Sequence, residues 1–278
     1  MFKEVSVAGL NLSAATKFEI LNEVESRLRA GQTTYIFTPY SEFLYQALQS
    51  KEVMDMLNTA DIAIADGIAI LWASTFLSLP NKGRAKLVRF LSLLWQVIKS
   101  GANILLSPNF VRKVIPEKIV GADFFWDIAE LANKNNLSVY LLGGFGNTSL
   151  RVAEILLNKF PHLRVVGTSS KNWDDVSVLD DLLVAKPDVL LVAFGPIRQE
   201  RWIVKHKEAL PFVKIALGLG GTFDYVAGTK NAPPKFIRKS GLEWLFRLVT
   251  QPSRYKRIYN ATFGLVIELV KYKLRHVD

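Results

Sequence analysis

The chain has 278 residues, of which 50% are apolar, so it is long enough to bury the core of one α/β domain. It has no cysteine, which excludes disulfides and thiolate metal sites, and its three histidines are too scattered to suggest a zinc site. The net charge of +10 is compatible with binding to nucleic acid or to an anionic membrane.

Short β-branched runs alternate along the chain with longer helical patterns, which is typical of a mostly parallel sheet covered by helices. The first residues lack the pattern of a signal peptide, so we expect a cytoplasmic protein. The predicted strands are residues 5–8, 35–37, 62–65, 138–142, 164–167, 189–194 and 213–217. The predicted helices are residues 14–29, 43–50, 68–76, 122–133, 149–159, 176–185 and 199–208. This order predicts a Rossmann-like α/β fold with helices on both faces of the sheet.

Two segments interrupt this alternation and carry the positive charge of the chain. Residues 80–115 contain seven basic residues and no acidic one, whereas residues 235–278 contain ten basic and three acidic residues. Each segment is open to two interpretations, which are packing against the body or a partner subunit and anchoring at a membrane surface. A homo-oligomer therefore stays open, and we expect peripheral association with the inner face of the plasma membrane.

The predicted domain organisation follows from these segments. Residues 1–232 form the core, with an insertion at about residues 77–115 whose apolar run, 87–98, is shorter than the roughly 20 residues of a bilayer span. Residues 233–278 form a helical, basic, membrane-associating C-terminal appendage, which we expect Pro252 to divide into two helices. The last part of this appendage has a wide apolar face, made of Phe263, Leu265, Val266, Ile267, Leu269, Val270 and Leu274.

Candidate chemistry lies in the loops that follow the predicted strands, because these loops form the ligand crevice in open α/β sheets. Thr38 offers a hydroxyl after the second predicted strand. Asp66 and Gly67 follow the third predicted strand and open a helix. From this pattern alone, Asp66 is either a helix cap or a carboxylate in the crevice.

A glycine-rich turn that contains Gly143 and Gly144 is either a phosphate-binding loop or a tight structural turn. It does not match the dinucleotide fingerprint, and no acidic residue ends the next strand, which disfavours a dehydrogenase. Gln199 and Asp224 follow the last two predicted strands. No Asp-x-Asp pair is present to hold a metal, so we expect no metal and no other cofactor, and we expect cations and amides to neutralise any diphosphate.

Several sequence blocks in a fixed order carry a resemblance to a known family between residues 7 and 259. In these blocks the chain resembles the bacterial teichoic-acid and enterobacterial-common-antigen N-acetylmannosaminyl or mannosaminuronyl transferases, the WecG/TagA/CpsF glycosyltransferases. The blocks are Thr38-Pro39 with Glu42-Phe43, Ala65-Asp66-Gly67, Gly121-Ala122-Asp123, Leu142-Gly143-Gly144, Arg198-Gln199-Glu200 with Trp202, Gly220-Gly221 with Phe223-Asp224, and Ala232-Pro233 before Gly241-Leu242-Glu243-Trp244 with Arg247, Pro252, Arg254 and Arg257.

The resemblance implies an inverting, metal-independent transfer of a sugar from a UDP-sugar donor to a polyprenyl-diphosphate-linked acceptor in the synthesis of a cell-surface polysaccharide. It implies a general base at Asp66 and an active-site threonine at Thr38. The nucleotide-sugar site that it implies contains Gly143, Gly144, Gln199 and Asp224. The arginines that it implies for the acceptor diphosphate at the membrane are Arg247, Arg254 and Arg257.

This chain departs from the family pattern at a few positions. Tyr40 stands where the family usually has asparagine, which leaves sugar specificity and even catalytic competence open. Lys118 replaces a usual arginine, and the insertion at 77–115 has no usual counterpart, so it is either a second membrane contact or a lid over the acceptor site. A basic, non-enzymatic protein that binds nucleic acid or membrane is the alternative function. We expect no nucleic-acid partner, because the basic segments are rich in Leu, Val and Ile rather than in aromatic residues that stack on bases.

Overall fold

The computed structural model describes residues 2–81, 85–231, 234, 237 and 243–276. The chain begins with a hairpin that the sequence patterns did not predict, in which β1 (Lys3–Val7) pairs antiparallel with β2 (Leu10–Ala14) in a sheet of its own. The turn residues Ala8 and Gly9 both have positive φ angles, of 52° and 94°, as two-residue hairpin turns require. The predicted helix at 14–29 is therefore wrong at its start, because Ala14 belongs to β2 and the helix begins only at Lys17.

Six parallel strands form the main sheet, which confirms the predicted fold class. They lie in the order β4-β3-β8-β7-β5-β6. Because β3 and β8 are neighbours, the loops that follow residues 37 and 218 meet at one edge of the sheet. The strands are β3 (Thr34–Phe37), β4 (Ile62–Ala63), β5 (Ser138–Gly143), β6 (Arg164–Ser169), β7 (Val189–Ala193) and β8 (Ile215–Gly218).

Helices cover both faces of this sheet, and each face has its own apolar core. In β7, Val189 and Leu191 point to one core while Leu190 and Val192 point to the other, as the alternation of a strand requires. The first face carries α1 (Lys17–Arg29), α6 (Gly121–Lys134), α7 (Thr148–Lys159) and α10 (Thr222–Val226). The opposite face carries α2 (Ser41–Gln49), α3 (Lys51–Leu57), α4 (Ile68–Ser78), α8 (Ser177–Ala185) and α9 (Arg198–His206).

The insertion forms one long helix, α5 (Lys86–Leu106), followed by a 3-10 turn at Pro108–Arg112. This helix has 21 residues, so it is longer than the apolar run of the sequence. Within the part of the chain that the structure describes, no helix is both long enough and apolar enough to cross a membrane.

The C-terminal region is helical, and its helices return to the body. Pro252 separates α11 (Glu243–Thr250) from α12 (Tyr255–Tyr259), as predicted, and a π-helical turn leads into α13 (Leu265–His276). Leu265, Leu269 and Val270 are buried in the core of the second sheet face, so packing against the body accounts for this part of the predicted apolar face. Phe263 and Ile267 of the same face stay exposed, at 57% and 47%. The predicted boundary at residues 232–233 lies outside the described residues.

Candidate active site

Thr38, Asp66 and Gly121 meet at the edge formed by the carboxyl ends of β3 and β4. The backbone N–H of Asp66 donates to the carbonyl of Pro39 at 2.9 Å, which joins the two loops. A Cβ atom on Gly121 would lie 3.2 Å from Oδ2 of Asp66 and 3.6 Å from Oγ1 of Thr38. The carboxylate and the hydroxyl therefore face the same small space at the first residue of α6, where a helix N-terminus favours negative charge.

The position of Asp66 differs from that of a simple helix cap. Gly67 takes the N-cap position of α4 that the capping interpretation gave to Asp66. With φ at +131°, position 67 favours glycine, and a Cβ atom built there would lie 3.7 Å from the Cβ of Tyr40. The chain thus turns sharply just after the carboxylate and leaves it beside Gly121.

The hydroxyl of Thr38 has a fixed donor direction. Its Oγ1 donates to the carbonyl oxygen of Gly218 at 3.0 Å, and the residue is only 5% exposed. Because the hydroxyl proton is used inside the protein, the free lone pairs of Oγ1 can only accept a hydrogen bond from a ligand. This bond also links the end of β3 to the end of β8.

Gln199 and Glu200 form a buried pair beneath the same edge. Oε1 of Gln199 accepts the N–H of Gly220 at 2.7 Å, and Nε2 of Gln199 donates to Oε1 of Glu200 at 2.7 Å. A Cβ atom on Gly218 would lie only 2.6 Å from Oε1 of Glu200 and 2.8 Å from Nε2 of Gln199. Glycine at 218 therefore lets the backbone that binds Thr38 rest directly on this pair.

Glu200 is a functional-site neighbour to which the sequence motifs gave no role. It is fully buried, and burial raises its pKa to about 8, against the opposing hydrogen bond from Gln199. Its Oε2 atom has no hydrogen-bond partner among the described residues. At neutral pH this side chain is accordingly a protonated acid, and the pair adds no negative charge to the edge.

The glycine-rich turn is explained by packing. Gly143 has a φ of +102°, and a Cβ atom there would lie 2.7 Å from the carbonyl of Ala193. The N–H of Gly144 already donates to that same carbonyl, at 3.1 Å. The structural-turn interpretation thus accounts for both glycines, and any phosphate at this turn has to use other amides.

Asp224 lies in α10, directly after the loop that follows β8. Its Oδ2 atom forms an ion pair with Nζ of Lys230, and its carbonyl accepts the hydroxyl of Thr229 at 3.1 Å. The carboxylate is thus at the predicted edge of the sheet but is engaged by a lysine from the following turn.

The C-terminal region reaches the site through Arg257. Its Nε atom lies 2.6 Å from both carboxylate oxygens of Glu42, and its Nη2 donates to the hydroxyl of Tyr40 at 3.1 Å. Tyr40 in turn donates to Oε2 of Glu42 at 2.9 Å. Glu42, which is 8% exposed, is therefore a site residue that sequence reasoning missed, although it belongs to one of the family blocks.

The other two arginines predicted for the acceptor diphosphate lie in the same helical region. Arg254 is the N-cap residue of α12, one turn before Arg257. Arg247 lies within α11, and its side chain is outside the described part of the structure. A second ion pair, from Nζ of Lys118 to Oε1 of Glu243 at 2.6 Å, ties the start of α11 to the loop that precedes α6.

Comparison with known proteins agrees with this architecture. The chain is 26% identical over 225 residues to the N-acetylglucosaminyldiphosphoundecaprenol N-acetyl-beta-D-mannosaminyltransferase of Bacillus spizizenii, which covers 81% of this chain and 74% of that protein. Proteins of the same name from Bacillus subtilis (28% over 168 residues, 58% of this chain, 63% of that one) and Staphylococcus aureus strain MRSA252 (22% over 259 residues, 92% and 88%) are also similar.

A family model covers nearly the whole length. The model of the glycosyl transferase WecG/TagA/CpsF family matches residues 5–102 and residues 86–278. The two matched segments overlap within α5, the helix of the insertion. The chain therefore belongs to the WecG/TagA/CpsF family of glycosyl transferases.

Proposed function

We propose that this chain transfers an N-acetylmannosamine-like sugar from a UDP-sugar to a polyprenyl-diphosphate-linked sugar, with inversion, without a metal and at the inner face of the plasma membrane. The relatives are named for an acceptor that is a lipid-linked N-acetylglucosamine diphosphate and for a β-linked product. The observation that carries the proposal is the shared space of Asp66 and Thr38 beside Gly121.

In the proposed reaction the acceptor hydroxyl attacks the anomeric carbon of the donor sugar. Asp66 takes the hydroxyl proton, and the bond from the anomeric carbon to the UDP oxygen breaks, so that UDP leaves with the electron pair. Thr38 supports this step by accepting a hydrogen bond from another donor group of the bound sugar, because its own proton is held by Gly218 and the single proton of the attacking hydroxyl goes to Asp66. One displacement of this kind inverts the anomeric centre, so an α-linked UDP-sugar gives the β-linked product that the relatives' name states.

Cationic groups supply the charge that the diphosphates require. Arginine presents several N–H donors that fit phosphate oxygens, so we assign the diphosphate contacts to Arg257, which binds Tyr40 and Glu42, and to Arg254, the N-cap residue of the same helix. Glu42 and Tyr40 hold Arg257 in place, so a diphosphate binds to its remaining N–H groups or displaces the carboxylate. Tyr40, which stands where the family usually has asparagine, thus helps to position an arginine.

The first test is a transfer assay with the full chain, a panel of UDP-sugars and a polyprenyl-diphosphate-N-acetylglucosamine acceptor in detergent, in the presence of EDTA. We expect UDP release and a β-linked product, identified by the anomeric coupling in its NMR spectrum. An α-linked product would contradict the inverting mechanism, and a loss of turnover in EDTA would contradict metal independence. No turnover with any donor would overturn the proposed function itself.

A further inference from the structure

The helix of the insertion, α5, presents its apolar face to the outside. Leu87, Leu91, Trp95 and Ile98 follow one another at helical spacing and are 55% to 68% exposed. Val88, Phe90 and Leu94 flank this stripe and are 40% to 53% exposed. A surface helix normally buries its apolar residues, whereas α5 buries Leu93 on its inner side and leaves this second apolar face exposed. An exposed apolar patch of this kind marks a contact with a partner or a membrane.

Polar contacts fix this orientation. Nε1 of Trp72 in α4 donates to Oγ of Ser100 at 2.8 Å, and Nζ of Lys273 in α13 donates to Oε1 of Gln96 at 3.0 Å. Ser100 is 1% exposed and Lys273 is fully buried, so these bonds lie in the interface between α5 and the body. The inner side of α5 also carries Leu93, which is 0% exposed, and the half-buried Val97 and Ile104, which pack against the body. Rolling the exposed apolar side inward would break both hydrogen bonds and remove these contacts.

The charges around the apolar face select an anionic surface. Lys86 and Lys99 are exposed on α5, and Arg112 and Lys113 are exposed just after it. The sequence from 80 to 115 contains no acidic residue. Apolar side chains bordered by cations, on a helix about 31 Å long, are the features of a helix that lies flat at the boundary of headgroups and acyl chains.

The direction of α5 brings this face towards the candidate active site. Gln96 donates to the carbonyl of Pro80 at 2.9 Å, whereas Ser100, one turn later, accepts from Trp72. The earlier residue of α5, Gln96, thus contacts the later residue of the preceding segment, Pro80, and the later residue, Ser100, contacts the earlier one, Trp72. The helix α5 therefore runs antiparallel to α4. The last turn of α5, with Leu106 at 81% exposure, consequently lies towards the start of α4, next to Asp66.

We propose that α5 is a lipid-binding helix that docks the protein on an anionic bilayer and holds the crevice at the level of the lipid-linked diphosphate. The docking is inferred from the exposed face of α5 alone. The further inference that docking delivers a lipid-linked acceptor to the crevice rests on the proposed function. The alternative of a lid over the acceptor site is disfavoured, because a lid has to move and α5 is fixed by buried bonds to α4 and α13.

Vesicle co-sedimentation of the full chain tests the docking. The probe is a vesicle of phosphatidylcholine with 30% phosphatidylglycerol, compared with phosphatidylcholine alone at the same salt concentration. The variant Leu91→Gln/Trp95→Gln/Ile98→Gln changes exposed side chains only. The matched control, Leu150→Gln/Val176→Gln/Val184→Gln, changes three apolar side chains that are 51% to 87% exposed on α7, α8 and just before α8.

We expect the α5 variant to lower the partition coefficient on anionic vesicles at least tenfold and the control to bind as the unmodified chain does. Equal binding by the α5 variant would overturn the proposal. So would a dimer in lipid-free buffer that the α5 substitutions dissociate, because α5 would then cover a second copy of the chain. Tryptophan quenching by brominated lipid that is unchanged in Trp95→Phe would also contradict insertion of α5.

The consequence for catalysis is measured separately. The α5 variant should keep its turnover with a short-chain, water-soluble acceptor and lose at least tenfold with the full-length lipid acceptor in vesicles. Equal loss on both acceptors would contradict a delivery role. If the unmodified chain turns over neither acceptor but still binds anionic vesicles, the proposed function fails while the docking of α5 stands.

Discussion

At the scale of single residues, Glu200 shows how a buried acid shapes the candidate site without touching the reacting atoms. Its carboxyl group orients the amide of Gln199, which in turn holds the loop after β8 through Gly220. A neutral acid is compatible with a site that binds diphosphates, whereas an ionised one would repel them. The neutrality of Glu200 follows from burial, which raises its pKa to about 8.

This pKa has a measurable consequence for stability. Between the ordinary value of 4.5 and about 8, the unfolded chain has lost the proton of Glu200 while the folded chain retains it. The free energy of unfolding therefore falls as the pH rises through this window, by up to about 1.4 kcal/mol per pH unit. The side chain in Glu200→Gln does not titrate, so we expect the free energy of unfolding of this variant to lack this decrease with pH.

Urea unfolding of both proteins at pH 5, 6, 7 and 8 measures the difference. The free energy of unfolding of Glu200→Gln, relative to that of the unmodified chain, should increase steadily as the pH rises. Glu52→Gln, which changes an exposed carboxylate, serves as the control and should follow the unmodified chain. Parallel pH dependence in Glu200→Gln and the unmodified chain would show that Glu200 is not neutral in the folded state.

At the scale of elements, two ion pairs among the described residues join the C-terminal helices to the core. Lys118 binds Glu243 at the start of α11, and Glu42 at the start of α2 binds Arg257 in α12. The second pair also places an arginine beside Tyr40, the residue after Pro39, whose carbonyl accepts the N–H of Asp66. The arginine therefore reaches the site through a structural contact with the core.

Glu42→Gln tests this contact. The change removes the negative charge that faces Arg257, and we expect a loss of about 1 to 2 kcal/mol in the free energy of unfolding, since hydrogen bonds to charged groups contribute on this order. Chemical denaturation provides the measurement. Asp55→Asn, which breaks the exposed Lys51–Asp55 pair, should cost less than about 0.5 kcal/mol. If both variants lose the same free energy of unfolding, the Glu42–Arg257 pair contributes no more to stability than an exposed ion pair.

At the scale of the whole molecule, the sequence predicts most of the sheet and the edge that carries the site. Alternating β-branched and helical runs predict seven strands, of which six form the parallel sheet, whereas the first, residues 5–8, overlaps the separate hairpin. The rule that ligands bind at strand carboxyl ends brings Thr38 and Asp66 together. The hairpin was missed because Ala8 has a positive φ, which alanine seldom adopts.

Other features depend on distance and burial, which the chain order does not reveal. Glu42 and Arg257 are 215 positions apart, so no local pattern pairs them. The pKa of Glu200 depends on its burial beneath Gly218, which is a property of the packed sheet. The apolar run of α5 is visible in the sequence, but which of its residues face outward depends on the bonds of Ser100 and Gln96 and on the burial of Leu93.

In the proposed reaction Asp66 removes the proton of the acceptor, and the most direct test of this role is the turnover number of Asp66→Asn with a saturating UDP-sugar and lipid-linked acceptor. Asparagine keeps the shape of the side chain beside Gly121 but cannot take up the proton. We expect the turnover number to fall by about 100-fold or more, with unchanged folding stability, because a positioned general base contributes on this order. Turnover equal to that of the unmodified chain would contradict the role of Asp66.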